Sequence, residues 1–312
     1  MGFAVIILAY APASMGNVAA GFDVLGAAFA PIDGSLWGDI VEVEPAQTAS
    51  FTCVGPFADR LPQNPSDNLV LKAKTYFEDA WHRPLPPLRI VLHKLLPVSS
   101  GLGSSSASAV AAAVAFDAVV GAHLGRDALL QVAARAESVA SGAVHLDNVA
   151  PCLLGGLQLC ADGRAFALPW PQELLVAVAS PQLELATRQA RAVLPREVPL
   201  SLAIGHAANL AHLVHALHVH DLQSIRGCLR DLIAEPHRAS LVPGFRQAQA
   251  QALAAGAWAC SLSGAGPAVF AVAEPKDAAA VAAALVAGFG SVGVPALAKV
   301  CGIDAIGARV LP

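Results

Sequence analysis

Charge is scarce in this chain. Only 13% of its 312 residues are Asp, Glu, Lys or Arg, about half the usual share for a soluble domain. The 19 Lys and Arg against 23 Asp and Glu leave a net charge of −4 with no basic block. That balance argues against nucleic acid or an anionic membrane as the main partner. Aromatic residues make up only 5%. No Lys or Arg precedes Arg60, so the apolar start MGFAVIILAYAPAS lacks the positive region of a signal peptide. Ile6 breaks the myristoylation pattern. The six cysteines (Cys53, Cys152, Cys160, Cys228, Cys260, Cys301) contain no Cys-x-x-Cys pair and no zinc-ligand spacing. They read as small buried side chains of a reducing compartment.

Aliphatic residues, by contrast, are abundant: the hydrophobic share is 55%. Such a chain buries a large core and is not disordered. Its length corresponds to about two domains at roughly 150 residues each. Two long apolar stretches, 107–125 and 281–300, fall short of a membrane span. The first contains Asp117, and the second is broken by Gly288, Gly290, Gly293 and Pro295. A soluble, cytoplasmic protein acting on small molecules is the expectation.

Short apolar runs alternate with helical patterns. Strands are expected at 3–9, 40–43, 51–54 and 88–92. A Pro/Ser/Gly loop at 97–103 leads into a helix over 104–121 that ends at Gly121. A second helix is expected over 126–138. Pro151 and Gly155-Gly156 then punctuate a turn into a strand. Pro169 and Pro171 mark a boundary between domains 1–168 and 169–312. A strand at 174–180 opens the second half. Helices follow at 202–218, 222–233 and 244–255, then a strand–loop–strand in SLSGAGPAVFAV, a helix after Lys276 and a last strand. The pattern is α+β in two halves.

The most informative stretch is PVSSGLGSSSASAVAAAVAF, residues 97–116. Gly101 and Gly103 permit backbone conformations that let main-chain N–H groups approach a ligand. Ser104, Ser105 and Ser106 open a helix whose N-terminus suits a phosphate. A flexible turn capping a helix has the same composition. The loop is neither GxxxxGK[ST] nor GxGxxG. Lys94, just before it, lies within possible reach of phosphate but is not assigned to the site. His206, His212, His215, His218 and His220 crowd one region, with three of them able to share a helix face. No cysteine or carboxylate cluster joins them, so they read as surface rather than as a metal site.

Three strings occur in a telling order: Ala11-Pro12-Ala13-Ser14 with Gly21-Phe22-Asp23, then GLGSSSAS, then Ser261-Leu262-Ser263-Gly264-Ala265-Gly266-Pro267. Together they resemble the three signatures of the GHMP kinases, and the resemblance covers nearly the whole chain. It implies a two-domain α+β fold. The N-terminal domain would resemble the second domain of ribosomal protein S5, with a left-handed βαβ unit, and the C-terminal domain would be ferredoxin-like. The substrates would meet in a cleft between them, and a homodimer is implied. The resemblance also implies ATP at Asn68, Pro97, Ser99, Ser100, Gly101, Leu102, Gly103, Ser104, Ser105 and Ser106, with Asn68 near the adenine. Mg²⁺ would be held by Ser105 and Glu137.

The segments APASMGNVAAGFDVLGAAF, SGAVHLDNVAPCLLGG, LATRQARAVLP and IAEPHRASLVPGF are similar to the branch of that family that phosphorylates the side-chain hydroxyl of L-homoserine, a step towards threonine. The similarity gathers Asn17, Asp23, His145, Asn148, Thr187, Arg191 and Arg238 around the acceptor. The chemistry fits: Arg191 and Arg238 offer planar forks to a carboxylate, and Asp23 offers a carboxylate to an ammonium. Asn17 and Asn148 can bond the hydroxyl, and His145 can contact the amino-acid end. Read singly, Asp23 is better taken as a turn carboxylate, while Glu137 has the alternative of a surface charge and each arginine that of a structural ion pair. The catalytic set is Asn148, Glu137 and Ser105. It contains no base, since an amide cannot take a proton, and the hydroxyl proton is expected to pass to a phosphate oxygen. The sequence departs from the family in two places. Gly264-Ala265-Gly266-Pro267-Ala268 replaces Gly-Ser-Gly-Pro-Thr, and Met15-Gly16-Asn17-Val18-Ala19-Ala20-Gly21 replaces Ser-Ala-Asn-Leu-Gly-Pro-Gly. Two alternatives stay open at this point: a kinase of another small alcohol, such as L-threonine or a mevalonate-type acid, and a catalytically silent binding homologue.

Overall fold

The computed structural model describes residues 6–141 and 145–312. In chain order they form β1 (Ile7–Pro12), β2 (Ser14–Gly16), β3 (Leu25–Pro31), β4 (Gly38–Pro45), β5 (Ser50–Val54), α1 (Leu69–Trp81), β6 (Leu88–His93), α2 (Ser104–Val120), α3 (Arg126–Ser141) and α4 (Val149–Leu154). There follow β7 (Leu157–Ala161), β8 (Arg164–Leu168), β9 (Leu175–Pro181), α5 (Thr187–Ala192), α6 (Leu200–Val219), α7 (Leu222–Cys228), α8 (Ala234–Arg238), α9 (Phe245–Ala254), β10 (Ala259–Leu262), β11 (Val269–Ala273), α10 (Pro275–Gly290), β12 (Ala296–Ile303) and β13 (Arg309–Val310).

Two sheets carry the α+β architecture. One has the order β13-β1-β4-β6-β5, antiparallel except for the β5–β6 pair, which is parallel and joined through α1. The other runs β10-β11-β9-β12-β3-β7-β8, with β2 on β3. Strands of the two halves mix: β12 pairs with β3, and β13 returns to β1. Helix α2 packs against β1 and β4 and against α1 and α3. Its Ser, Ala and Val side chains make it apolar nearly all round, as a helix buried on every side must be. Its end is the one expected, with Gly121 in the left-handed region at φ 58. Helices α9 and α10 cover the second sheet.

Local chemistry explains where the elements differ from the sequence pattern. The first strand begins at Ile7, and residues 3–5 of the expected strand lie outside the described residues. The expected turn after Asn148 contains α4. Pro151 is tolerated because it falls in the first turn, where its missing N–H has no intrahelical role. The helix expected over 222–233 stops at Cys228. There Asn209 Nδ2 donates to the carbonyls of Cys228 and Arg230, at 2.9 and 3.1 Å. Asp231 then accepts from the N–H groups of Ile233, Ala234 and Glu235 and starts α8.

Helix α6 is long and apolar enough to cross a membrane by length and composition alone, with 22% of its apolar window buried. Its Asn209 is tied to the end of α7, and among the described residues its histidines belong to no group of three or more His, Cys, Asp or Glu that could hold a metal. His218 faces the Val214 carbonyl and His220 faces Glu173.

Candidate active site

The site is built on the loop between β6 and α2. Ser99, Gly101 and Gly103 have φ of 54, 79 and 64. Alternating left-handed residues of this kind turn successive N–H groups toward one point, where an anion can sit. The space allows only glycine at two of these positions. A Cβ on Gly101 would lie 2.6 Å from the Ser263 carbonyl oxygen, and one on Gly103 would lie 2.1 Å from Ser14 Oγ. The Gly103 carbonyl accepts from Ala107 N at 2.8 Å, so the N–H groups of residues 104–106 stand at the open end of a 17-residue helix.

Two distant segments, 14–16 and 263–268, are stitched to this loop and to each other. Ser14 N donates to the Leu102 carbonyl at 3.0 Å, and Gly264 N to the Gly16 carbonyl at 3.1 Å. Ala268 N donates to the Ser100 carbonyl at 2.9 Å, and Ser263 Oγ to the Gly101 carbonyl at 2.6 Å. These bonds come from main chain and from Ser263. The alanines at 265 and 268 therefore leave the seam between the two glycine-rich loops intact. Between the loops stands Asn148, whose Oδ1 accepts from Ser14 Oγ at 3.0 Å.

The cavity over this seam has a volume of about 430 Å³. Asn17, Asp23, Asn68, Ser99, Ser100, Gly101, Gly103, Ser104, Ser105, Ser106, Glu137, His145, Asn148, Thr187, Arg191 and Arg238 all line it. Pro97 and Leu102, the other two expected site residues, shape the loop instead. The Pro97 carbonyl accepts from Ser100 Oγ at 2.8 Å, and Leu102 is wholly buried. Asn68 faces the cavity and also caps α1, accepting from Val70 N at 3.0 Å.

One wall carries hard oxygen donors. Ser105 Oγ donates to Glu137 Oε1 at 2.9 Å. Burial pushes the Glu137 carboxyl up to about 7, opposed by the Ser105 hydrogen bond and reinforced by Asp147. One carboxylate beside one hydroxyl fits Mg²⁺, which takes few protein oxygens and leaves other positions to water and phosphate. Among the described residues no group of three or more His, Cys, Asp or Glu forms a metal cage.

The opposite end is ionic. Arg191 donates from Nη1 and Nη2 to the two oxygens of Asp23, at 3.0 and 2.8 Å, a bidentate pair between the β2–β3 loop and α5. His145 Nδ1 lies 3.9 Å from Asp23 Oδ2. Burial lowers the imidazole pKa, with Arg191 adding and Asp23 opposing, so the neutral ring is favoured. Arg238, 2% exposed, donates to the carbonyls of Ala190 and Gly264 at 3.0 and 3.1 Å. Asn17 Nδ2 donates to the same Gly264 oxygen at 2.8 Å, while its Oδ1 accepts from Asp23 N at 3.0 Å. The loop holding these residues is strained, since Asn17, Val18, Ala19 and Asp23 all have positive φ. Strain of this kind gathers at functional sites.

Sequence reasoning missed two contributors, Ser14 and Asp147. Ser14 lies inside a recognised motif, but its bond to Asn148 crosses 134 residues. Asp147 adjoins Asn148 in sequence, yet nothing local says that its carboxylate faces the cavity. Lys94 is wholly engaged: its ammonium pairs with Asp39 and donates to the Ser104 carbonyl at 2.8 Å and Ser108 Oγ at 3.0 Å.

Known proteins share this fold. Residues 68–156 match the GHMP kinases N terminal domain, and residues 213–291 match the GHMP kinases C terminal domain. The crystal structure of homoserine kinase from Cytophaga hutchinsonii is similar at a TM-score of 0.91 and 33% identity, covering 98% of this chain and 97% of that one. A provisionally named homoserine kinase from Listeria monocytogenes follows at TM-score 0.71 and 23% identity, covering 99% of each chain. L. major mevalonate kinase in complex with R-mevalonate gives TM-score 0.68 and 16% identity over 96% of each chain. At these two lower identities the likeness is one of fold.

Proposed function

This chain belongs to the GHMP kinases, and we propose that it transfers the terminal phosphoryl group of ATP to the side-chain hydroxyl of L-homoserine. One observation carries the reading. A single cavity has an N–H-lined anion loop at one end and two arginines with the half-buried Asp23 and the buried Asp147 at the other, with Asn148 between them. A polyphosphate suits the first end, and a zwitterionic amino alcohol suits the second. The similarity to a homoserine kinase at 33% identity supports the same acceptor.

In this reading the loop N–H groups and the open end of α2 hold the phosphates, and Asn68 lies toward the base. Ser105 and Glu137 would hold Mg²⁺, which when bound neutralises charge on the transferring group. Asn148 positions the acceptor hydroxyl and takes no proton. The hydroxyl proton leaves to a phosphate oxygen, which a loose transition state permits because little charge develops early on the nucleophile. Arg191 and Arg238 fix the acceptor carboxylate. The six cysteines are free, five of them buried, which suits a reducing, cytoplasmic setting.

Coupled ADP release with L-homoserine, L-threonine and mevalonate, run side by side, tests the proposal. Stimulation by L-homoserine is expected. Stimulation by mevalonate alone overturns the reading, as does calorimetric binding of Mg²⁺–ATP with no turnover on any of the three. Replacing Arg191 with alanine should raise the homoserine KM by about 30- to 100-fold and leave kcat within about threefold, because a carboxylate contact remote from the reacting atoms binds ground and transition states alike. Equal losses in kcat and kcat/KM would instead give Arg191 a role at the reacting group.

A further inference from the structure

Lysine and arginine contribute four side chains to the cavity wall: Lys94, Arg188, Arg191 and Arg238. Three of them are committed inside the protein. Lys94 is paired with Asp39. Arg191 gives both terminal nitrogens to Asp23, at 3.0 and 2.8 Å. Arg238 is buried, donates to the carbonyls of Ala190 and Gly264, and lies 5.1 Å from the centre of the Phe22 ring. A polyphosphate held by the loop would meet main-chain N–H groups and hydroxyls, but no uncommitted cation from these three.

Arg188 differs from them. Its side chain is exposed and lines the cavity, and among the described residues it makes no hydrogen bond or ion pair. Its place follows from how α5 is anchored. Just ahead of the helix, Leu185 N donates to the Ser99 carbonyl at 3.3 Å. A Cβ on Gly266 would lie 3.6 Å from Leu185 Cδ2, so the start of α5 is seated against both glycine-rich loops. Near its other end, Arg191 reaches Asp23. Positions 188 and 191 are three residues apart and share a helix face, separated by about 4.5 Å along the axis. Arg188 is therefore the arginine displaced toward the phosphate loop, on the face that Arg191 turns to the acceptor end.

We propose that Arg188 is a catalytic residue that closes on the phosphoryl group during its transfer. This rests on the proposed transfer from ATP held in the loop. In that step the acceptor oxygen bonds to phosphorus as the bond to the ADP oxygen breaks, and the hydroxyl proton passes to a phosphate oxygen. Arg188 neither gives nor takes a proton in the step. It meets the moving charge with a planar fork of donors. An exposed arginine with no bond to break is free to reorient, whereas Arg191 would first have to leave Asp23. A site without a base draws its rate from positioning and charge, so the contact bears on kcat.

The test is the steady-state kinetics of Arg188→Ala and Arg188→Lys, set beside Arg191→Ala. Arg188→Ala should lower kcat by about 10²- to 10³-fold and leave the KM values for ATP and L-homoserine within about threefold. Arg188→Lys keeps the charge but not the fork, and should recover about tenfold of the loss. Guanidinium ion, added at millimolar concentrations that do not unfold the protein, should raise the turnover of Arg188→Ala and leave the wild type unchanged. Melting temperatures of both variants should match the wild type, since no bond is lost. An unchanged kcat in Arg188→Ala overturns the proposal. So does a loss confined to the homoserine KM, the signature expected of Arg191→Ala, which would make Arg188 a carboxylate contact. A kcat loss that comes with a lowered melting temperature and no recovery in Arg188→Lys also overturns it, by giving Arg188 a structural role. Failure of the acceptor reading shows separately, in the wild type. Should another alcohol be turned over in place of homoserine, that reading falls, while the same kcat loss in Arg188→Ala is expected on that alcohol and its absence there overturns the proposal.

Discussion

Replacing Lys94 with methionine should cost about 3–5 kcal/mol of folding stability, read by urea denaturation. The reason is the company this ammonium keeps. Lys94 is 1% exposed and Asp39 is wholly buried. Asp39 Oδ1 accepts from the N–H groups of Leu95 and Leu96 at 2.9 and 3.0 Å, and its Oδ2 accepts from Ser108 Oγ at 2.7 Å. The cluster locks β4, the exit of β6 and the first turn of α2 to one another. Methionine is similar in shape, so the loss is that of a counter-ion and leaves Asp39 as a buried, uncompensated charge. Adding Asp39→Asn removes that charge and should restore about 1–3 kcal/mol, since replacing both partners is milder than breaking the pair. The ATP KM should rise in the single variant because the start of α2 is no longer anchored. Unchanged stability together with abolished turnover would instead make Lys94 a phosphate ligand, contrary to the geometry.

Glu137→Gln should lower kcat by about 10²- to 10³-fold while leaving the homoserine KM near its wild-type value. Glutamine keeps the shape and a bond to Ser105 but removes the anionic oxygen on the metal-side wall. A loss confined to the homoserine KM would place Glu137 elsewhere in the reaction. The same variant has a pH signature in the ligand-free protein. The folded carboxyl lies at about 7, above its unfolded value, so in the window between the two the folded state holds a proton that the unfolded state has released. Stability therefore falls as pH rises through that window. Asp147, at about 6, adds to the lower part of the fall. Melting temperatures between about pH 5 and pH 8 should show the decline in the wild type and a shallower upper part in Glu137→Gln. Identical profiles would mean that Glu137 is not held protonated by burial.

Much of the fold was legible from local pattern. The end of α2 at Gly121 and the strand–loop–strand around Gly264 to Pro267 follow from where glycine, proline and apolar runs fall. Helix α1 had a readable start in Asn68, whose side chain caps it, but that signal was assigned to adenine binding alone. The stop of α7 at Cys228 was not legible, because it depends on Asn209 reaching across from α6. The mixing of the two halves was equally hidden. Pairing of β12 with β3, and of β13 with β1, joins residues more than 250 positions apart, and no local propensity encodes such partners.

The same division runs through the site. The sequence by itself determined the residue types: a serine- and glycine-lined loop entering a helix, two arginines, and a set of carboxylates and amides in the order of a known family. These are short-range facts, set by backbone freedom at glycine and by the donors each side chain carries. Only the tertiary structure decided how the charges pair. Lys94 is spent on Asp39 and Arg191 on Asp23, and Asp147 is buried at the cavity wall. Coulombic pairing depends on distance in space and on exclusion of water, and neither is fixed until the chain has folded.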